Sequence, residues 1–205
     1  SGDEFNGIGY YDYADGDFLI GRFKAGEAWE AVQFNSDGEL AGHYSEGSFI
    51  ELSSGDVRTI KLFEGTYTGQ LLNDLPHGWG AWSGPDGDHA TGKFKNGVLQ
   101  GVAAYVYPND DKYVGQFRNF SRHGSGIYFY ANENIYFGDF VDGLSNGDGI
   151  FIYSNGDRYQ GSFVADEFSG HGKFVLVSGE MYVGEHSNDR YDGQGTWTHP
   201  DGDQY

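Results

Sequence analysis

Apolar and polar residues alternate one by one along most of the chain, in short runs such as Tyr113-Val114-Gly115-Gln116-Phe117 and Gly126-Ile127-Tyr128-Phe129-Tyr130. A period of two sends successive side chains to opposite faces of a strand; no stretch carries the spacing of three and four that a helix needs. The runs are joined by Ala14-Asp15-Gly16-Asp17, Pro85-Asp86-Gly87-Asp88, Ser154-Asn155-Gly156-Asp157 and Pro200-Asp201-Gly202-Asp203. In such tight turns Gly supplies a positive φ, and Asp or Asn accepts a local hydrogen bond. The pattern predicts an all-β chain of hairpins that follow one another antiparallel into a sheet.

A longer period lies over the alternation. Trp82, Tyr105, Tyr128, Phe151, Phe174 and Trp197 stand 23 residues apart. Gly69, Gly92, Gly115, Gly138, Gly161 and Gly184 keep the same step, as do Gly78, Gly101, Gly124, Gly147, Gly170 and Gly193. Several coupled positions recurring at one fixed interval mark a repeat array. A unit reads Y-x-G-x-F, a polar loop, G-x-G, a short run ending in an aromatic, and a turn. The stretch from Tyr136 to Arg158 is the cleanest copy, with Tyr136, Gly138, Phe140, Gly143, Gly147, Gly149, Phe151, Tyr153 and Gly156 in place.

This spacing of Tyr, Gly and aromatic residues resembles the MORN (membrane occupation and recognition nexus) repeat. The resemblance implies an elongated, single-layer antiparallel array with one 23-residue hairpin per unit. Residues 1–205 are expected to form one array: 1–18 a partial unit, 19–66 irregular units and 67–204 six regular ones. A further unit begins at Leu19 with Gly21, Phe23 and Gly26. After it the spacing first shortens and then lengthens, and the G-x-G places are taken by Glu30-Ala31-Val32 and Glu51-Leu52-Ser53. The stretch from Glu27 to Thr66 is therefore expected to be a distorted part of the same sheet.

Alternation sorts the side chains by face. One face collects Tyr136, Phe140, Phe151 and Tyr153 together with Gly138 and Gly149, whose missing side chains leave room for neighbouring rings. The periodic aromatics Trp82, Tyr105, Tyr128, Phe151, Phe174 and Trp197 are read as structural, each burying on the order of 150 Å² or more in a layer that holds a thin sheet together. The opposite face is polar at Arg22, Lys24, Lys93, Lys95, Gln116 and Arg118. From Val114 to Val175 it instead gathers apolar residues, of which Ile127, Phe129, Phe137, Ile150 and Ile152 are the candidate surface for a partner or for self-association.

Composition narrows the functions. The net charge of −19 opposes DNA, RNA and acidic lipid surfaces. There is no cysteine, so neither a disulfide nor a thiolate metal site can form. That fits a reducing, cytoplasmic setting, although bacterial surface proteins share the feature; a cytoskeletal or membrane-associated structure as its place is what the resemblance implies. No apolar run approaches a membrane span. The chain opens on Ser1-Gly2 without a methionine and stops at Tyr205, the first residue of a further unit, as a piece of a longer protein would.

No metal, cofactor or catalytic site is expected. His77 and His123 precede the first Gly of G-x-G, and His43, His89, His171, His186 and His199 share no ligand spacing. The Asp-rich turns lack an EF-hand pattern, there is no G-x-S-x-G elbow, and Gly172-Lys173 is followed by Phe174 where a phosphate loop needs Ser or Thr. The resemblance implies a non-catalytic scaffold or protein-interaction module that binds a partner protein, a peptide or helix among the forms, or a second copy of itself. Two alternatives stand beside it. One is a phospholipid adaptor using a stripe of Lys93, Lys95 and Arg118, which the net charge opposes. The other is an accessory region of a larger enzyme of the lipid-kinase or methyltransferase type.

Overall fold

A computed structural model describes residues 7–34, 40–51 and 57–205. Every regular element among them is a strand. Five form one antiparallel sheet in sequence order: β1 (Gly7–Asp12), β2 (Phe18–Lys24), β3 (Glu27–Phe34), β4 (Leu40–Ser45) and β5 (Ser48–Glu51). Thirteen form a second, also in sequence order. These are β6 (Arg58–Leu62), β7 (Gly65–Leu72), β8 (Leu75–Ser83), β9 (His89–Lys95), β10 (Val98–Val106), β11 (Lys112–Arg118), β12 (Ser121–Phe129), β13 (Ile135–Val141), β14 (Leu144–Ile152), β15 (Arg158–Val164), β16 (Glu167–Val175), β17 (Met181–Ser187) and β18 (Arg190–Thr198). The all-β array of successive antiparallel hairpins expected from the 23-residue period is present.

One interaction recurs in the regular hairpins and explains the spacing. The Tyr136 ring lies flat over Gly138 on its own strand and over Gly149 on the next; a Cβ on Gly138 would sit 2.2 Å from the phenol oxygen, and one on Gly149 would sit 2.6 Å from the ring. Only glycine admits the ring at both places. At the end of that span the pairing of β13 with β14 shifts register between Gly138 and Phe140, a bulge that frees the Asp139 carbonyl. The Tyr136 hydroxyl donates to that carbonyl at 3.1 Å. The same bond runs from Tyr67 to Gln70 at 2.9 Å, Tyr113 to Gln116 at 3.0 Å, Tyr159 to Ser162 at 3.1 Å and Tyr182 to Glu185 at 3.2 Å.

The two glycines of G-x-G thus serve different ends. Gly149 makes room for a ring, whereas Gly147, at φ +81°, holds the left-handed conformation on the bulged strand. Further rings then box the tyrosine edge-on: Tyr136 meets Phe140 at 5.1 Å and Phe163 of the next hairpin at 4.8 Å. These tyrosines are the core, with Tyr67, Tyr113, Tyr136 and Tyr159 fully buried.

The turns add a second ladder. Ala165 and Asp166, like Asn188 and Asp189, both take positive φ, the conformation of a type I′ hairpin turn. The turn is tied to the hairpin before it: Asp166 N donates to the Ser145 carbonyl at 3.1 Å, and the Asp166 carboxylate accepts from Ser145 N at 2.6 Å and from its hydroxyl at 2.9 Å. Asp189 repeats this on Phe168 N at 2.7 Å.

The expectation for Glu27–Thr66 needs correction. Rather than a distorted part of one sheet, β3, β4 and β5 belong with β1 and β2 to a separate sheet, and the break falls between β5 and β6. The expected G-x-G place at 51–53 lies partly outside the described residues. The chain divides into two compact units, Ser1–Ser121 and Arg122–Tyr205. Within the first, β1 and β2 lie against β11, β2 also against β10, and β4 against β8. His43 packs its ring on Trp79 at 5.4 Å. Trp79, Val102 and Val114, which share the non-aromatic face of the larger sheet, are buried. The smaller sheet therefore covers that face, and each large side chain so removed from water contributes about 1.5–3 kcal/mol.

Candidate interaction surfaces

Residues 122–205 present both faces of β13–β18. On the non-aromatic face the register sets Ile127 opposite Phe137 and Phe129 opposite Ile135. On the next strand Phe137 faces Ile150 and Ile135 faces Ile152. The candidate residues Ile127, Phe129, Phe137, Ile150 and Ile152 thus lie together, with Ile135 as a sixth member that the sequence reading missed. Ile127 is buried and Phe137 is 37% exposed. The others are half-buried. A concavity of about 810 Å³ opens from Phe137 and Ile150 toward Gln160, Lys173 and Val183. The six residues carry no charge in a chain of net charge −19.

On the aromatic face, Tyr128 is buried, whereas Trp82, Tyr105, Phe151, Phe174 and Trp197 are half-buried. These rings run in contact from strand to strand: Tyr128 to Tyr130 at 4.6 Å, Tyr130 to Phe151 at 5.6 Å, Phe151 to Tyr153 at 4.7 Å and Tyr153 to Phe174 at 5.8 Å. Trp82 donates its indole N–H to the Leu62 carbonyl at 3.1 Å, and Tyr105 donates to the Asp88 carboxylate.

The ladder opens between Phe151 and Phe174. A cleft of about 330 Å³ is lined by Phe151, Tyr153, Phe168, Phe174 and Tyr191, with His186 below and the Asp166 and Asp189 turns at its rim. Burial first, and then the negative charge of Asp189, the neighbouring Tyr191 and Asp157, push the Tyr153 phenol above its ordinary value. Tyr159 is pushed up to about 12 by burial, with Asp189 adding to it.

Two repeats before Phe168, Phe174, His186 and Asp189 stand Arg122, Tyr128, Phe140 and Gly143. The Arg122 guanidinium lies over the Tyr128 ring at 4.6 Å and the Phe140 ring at 5.4 Å, and its Nε donates to the Gly143 carbonyl at 3.0 Å. The residue 23 positions on is Ser145, and those that follow Tyr128, Phe140 and Gly143 by the same step are Phe151, Phe163 and Asp166. Sequence reasoning passed over this column because it changes from unit to unit: Pro76, Leu99, Arg122, Ser145, Phe168, Tyr191.

Two histidines are buried. His186 stands where other units have Phe and meets Tyr182 at 5.2 Å and Tyr159 at 5.0 Å. Burial lowers its pKa, partly offset by the Gly184 and Gly170 carbonyls. Burial and then Lys93 lower that of His43. Among the described residues no three His, Asp or Glu side chains stand together as metal ligands, and no helix is long and apolar enough to cross a membrane.

Seven segments, 1–18, 67–89, 91–112, 113–135, 136–158, 159–181 and 182–204, match the MORN repeat. No curated protein matches the chain. Among solved structures it is similar to the TCP domain of Drosophila melanogaster SAS-4 (dCPAP) in complex with a proline-rich motif of Ana2, at 14% identity over 76% of this chain and 80% of that one, with a TM-score of 0.43. A mutant TCP10 domain of Danio rerio CPAP is similar at 10% identity over 96% of both chains, with a TM-score of 0.45. The wild-type domain in complex with a STIL peptide is similar at 13% identity over 97% of both, with a TM-score of 0.34.

Proposed function

The chain belongs to the MORN-repeat family, and from that premise we propose that residues 1–205 act as one non-catalytic interaction module, docking a protein partner on the non-aromatic face of β12–β14. The contact centres on Ile127, Phe129, Phe137, Ile150 and Ile152. The observation that supports this reading is internal to the chain. Within residues 1–121 the same face of the larger sheet is covered by a second β-sheet, which buries Trp79, Val102 and Val114. A one-layer sheet leaves such a face to water unless something lies on it, and clustered apolar surface on a protein marks an interface. The partner we infer presents an apolar β-surface of the kind that β1–β5 supply in the first unit. The membrane reading is weaker, because the patch itself carries no cation to meet a lipid head.

Phe129→Asp combined with Ile152→Asp places two charges in the patch without touching a ring on the aromatic face. Light scattering and capture of the native partner are then compared with the unaltered chain, at low and high salt. Loss of partner capture, or of a dimer that strengthens with salt as the repulsion between acidic copies is screened, supports the reading. Unchanged mass and unchanged capture, with the fold intact, overturn it.

A further inference from the structure

We propose that the aromatic face of β12–β18 is a docking track for a proline-rich segment of a partner protein, which lies across the strands as a polyproline II helix with basic residues at its flanks. The track is on the face opposite the docking patch and is independent of it. Its rings are not the ones that fasten the fold. That is done by Tyr136, Tyr159 and Tyr182, which are buried and hold the bulge carbonyls. Tyr130, Phe151, Tyr153, Phe174 and Trp197 are each only half-buried, so part of every ring still meets water. Between Phe151 and Phe174 they part into the cleft of about 330 Å³.

The spacing of the rings names the occupant. Phe151, Phe174 and Trp197 stand at equivalent places on β14, β16 and β18, and Tyr130 and Tyr153 directly follow β12 and β14. Equivalent rings are therefore two strands apart, about 9.6 Å. A polyproline II helix has three residues per turn and rises about 3.1 Å per residue, so every third residue returns to the same side after about 9.3 Å. Over the two steps from Phe151 to Trp197 the two repeats drift apart by less than about 1 Å. An α-helix brings one face round after two turns, about 10.8 Å, and drifts by more than about 2 Å over the same span. A β-strand advances about 10 Å in three residues but turns the third to its opposite face. Aromatic-lined grooves take proline rings, and a polyproline II segment has little conformational freedom to lose on binding. Charge agrees with a basic flank. Asp166 and Asp189 stand at the rim of the cleft, the turn that closes on Tyr153 carries Asp157, and the net charge of −19 repels an acidic segment.

The test uses the full chain and a peptide of about ten residues with proline at every third place and arginine at both ends, followed by NMR on the aromatic signals. A peptide of the same composition with its prolines taken out of that register is one control. A basic amphipathic helical peptide of equal charge is the other. The register peptide is expected to shift the Phe151, Tyr153 and Phe174 signals saturably and to bind at least about tenfold more tightly than either control. Added salt should weaken it as the charges at the flanks are screened. Tyr130→Gln and Tyr153→Gln, in neighbouring hairpins, should each weaken binding about tenfold. Unchanged amide signals in the strands establish that a variant is folded, and either variant decides the matter if the other is not. The Phe129→Asp, Ile152→Asp variant should bind the peptide as the unaltered chain does, which separates this track from the docking patch. The proposal is overturned if the register peptide moves none of these signals, if the out-of-register or the helical peptide binds as tightly, or if a folded ring variant binds unchanged.

Discussion

The hairpin at Tyr136 and the hairpin at Ala90 occupy equivalent places in one sheet and solve the same packing problem in opposite ways. At Tyr136 a buried ring lies over two glycines and fastens a bulge. At Ala90 the ring is gone, and the second glycine has gone with it: the position equivalent to Gly149 is Ala103, whose Cβ stands 2.3 Å from where a Cβ on Gly92 would lie. Ala90 and Ala103 are both buried. In the smaller sheet Leu19, Gly21 and Ala31 show the same exchange, with Leu19 and Ala31 buried. The tyrosine and its second glycine therefore form a single packing element, kept or replaced together. Loss of the ring does not by itself end a sheet, since β9 and β10 remain within the larger one.

The largest effect should come from removing the element where it is intact. Tyr136→Ala is expected to cost about 3–5 kcal/mol, since it empties a fully buried ring position and strips the bulge carbonyl of its donor; thermal or denaturant unfolding measures it. Equal stability of the variant and the unaltered chain would mean that the alanine solution serves anywhere.

A smaller effect should follow from adding the element where it is absent. Ala90→Tyr alone should destabilise by about 1–3 kcal/mol, because the new ring meets the Ala103 methyl. Ala103→Gly in the same chain should recover most of that loss. A double variant no more stable than Ala90→Tyr would separate ring from glycine and break the comparison.

The smallest effect concerns the last unit, where His186 replaces the phenylalanine that boxes the ring. Its pKa is lowered in the fold, so the stability it contributes is present above the unfolded value near 6.5 and is lost as pH falls through the depressed folded value. Melting temperature should thus fall in mildly acidic buffer, and His186→Phe should reduce that fall. His43, whose pKa is also lowered, should leave a remainder. Identical pH profiles would show that the imidazole is not desolvated.

The hairpins, the two faces and the grouping of Ile127 with Phe137 and Ile150 were legible in the sequence, because a period of two and a period of 23 fix face and register without tertiary knowledge. Three things were not. The separation of β1–β5 and its stacking over Trp79 leave no periodic trace, for Phe18–Lys24 alternates just as Tyr113–Phe117 does. The depth of each ring could not be ranked: Tyr136 and Phe151 read alike in sequence, yet only the first sits under its neighbours. The seat of Arg122 was hidden because it joins residues six and eighteen positions apart, a spacing that belongs to the fold and not to any one strand.

Each phenol closes on a carbonyl three residues away in its own strand, so every copy carries its own fastening. A gene duplication or loss that spans a whole repeat would leave all the other fastenings untouched, whereas a slip of one codon within a copy would part the hydroxyl from its carbonyl and drive the ring onto a side chain. Lineages of such genes should therefore lengthen and shorten in whole-repeat steps, with innovation in the columns that the fastening does not constrain, such as the one held here by Arg122, Ser145 and Phe168.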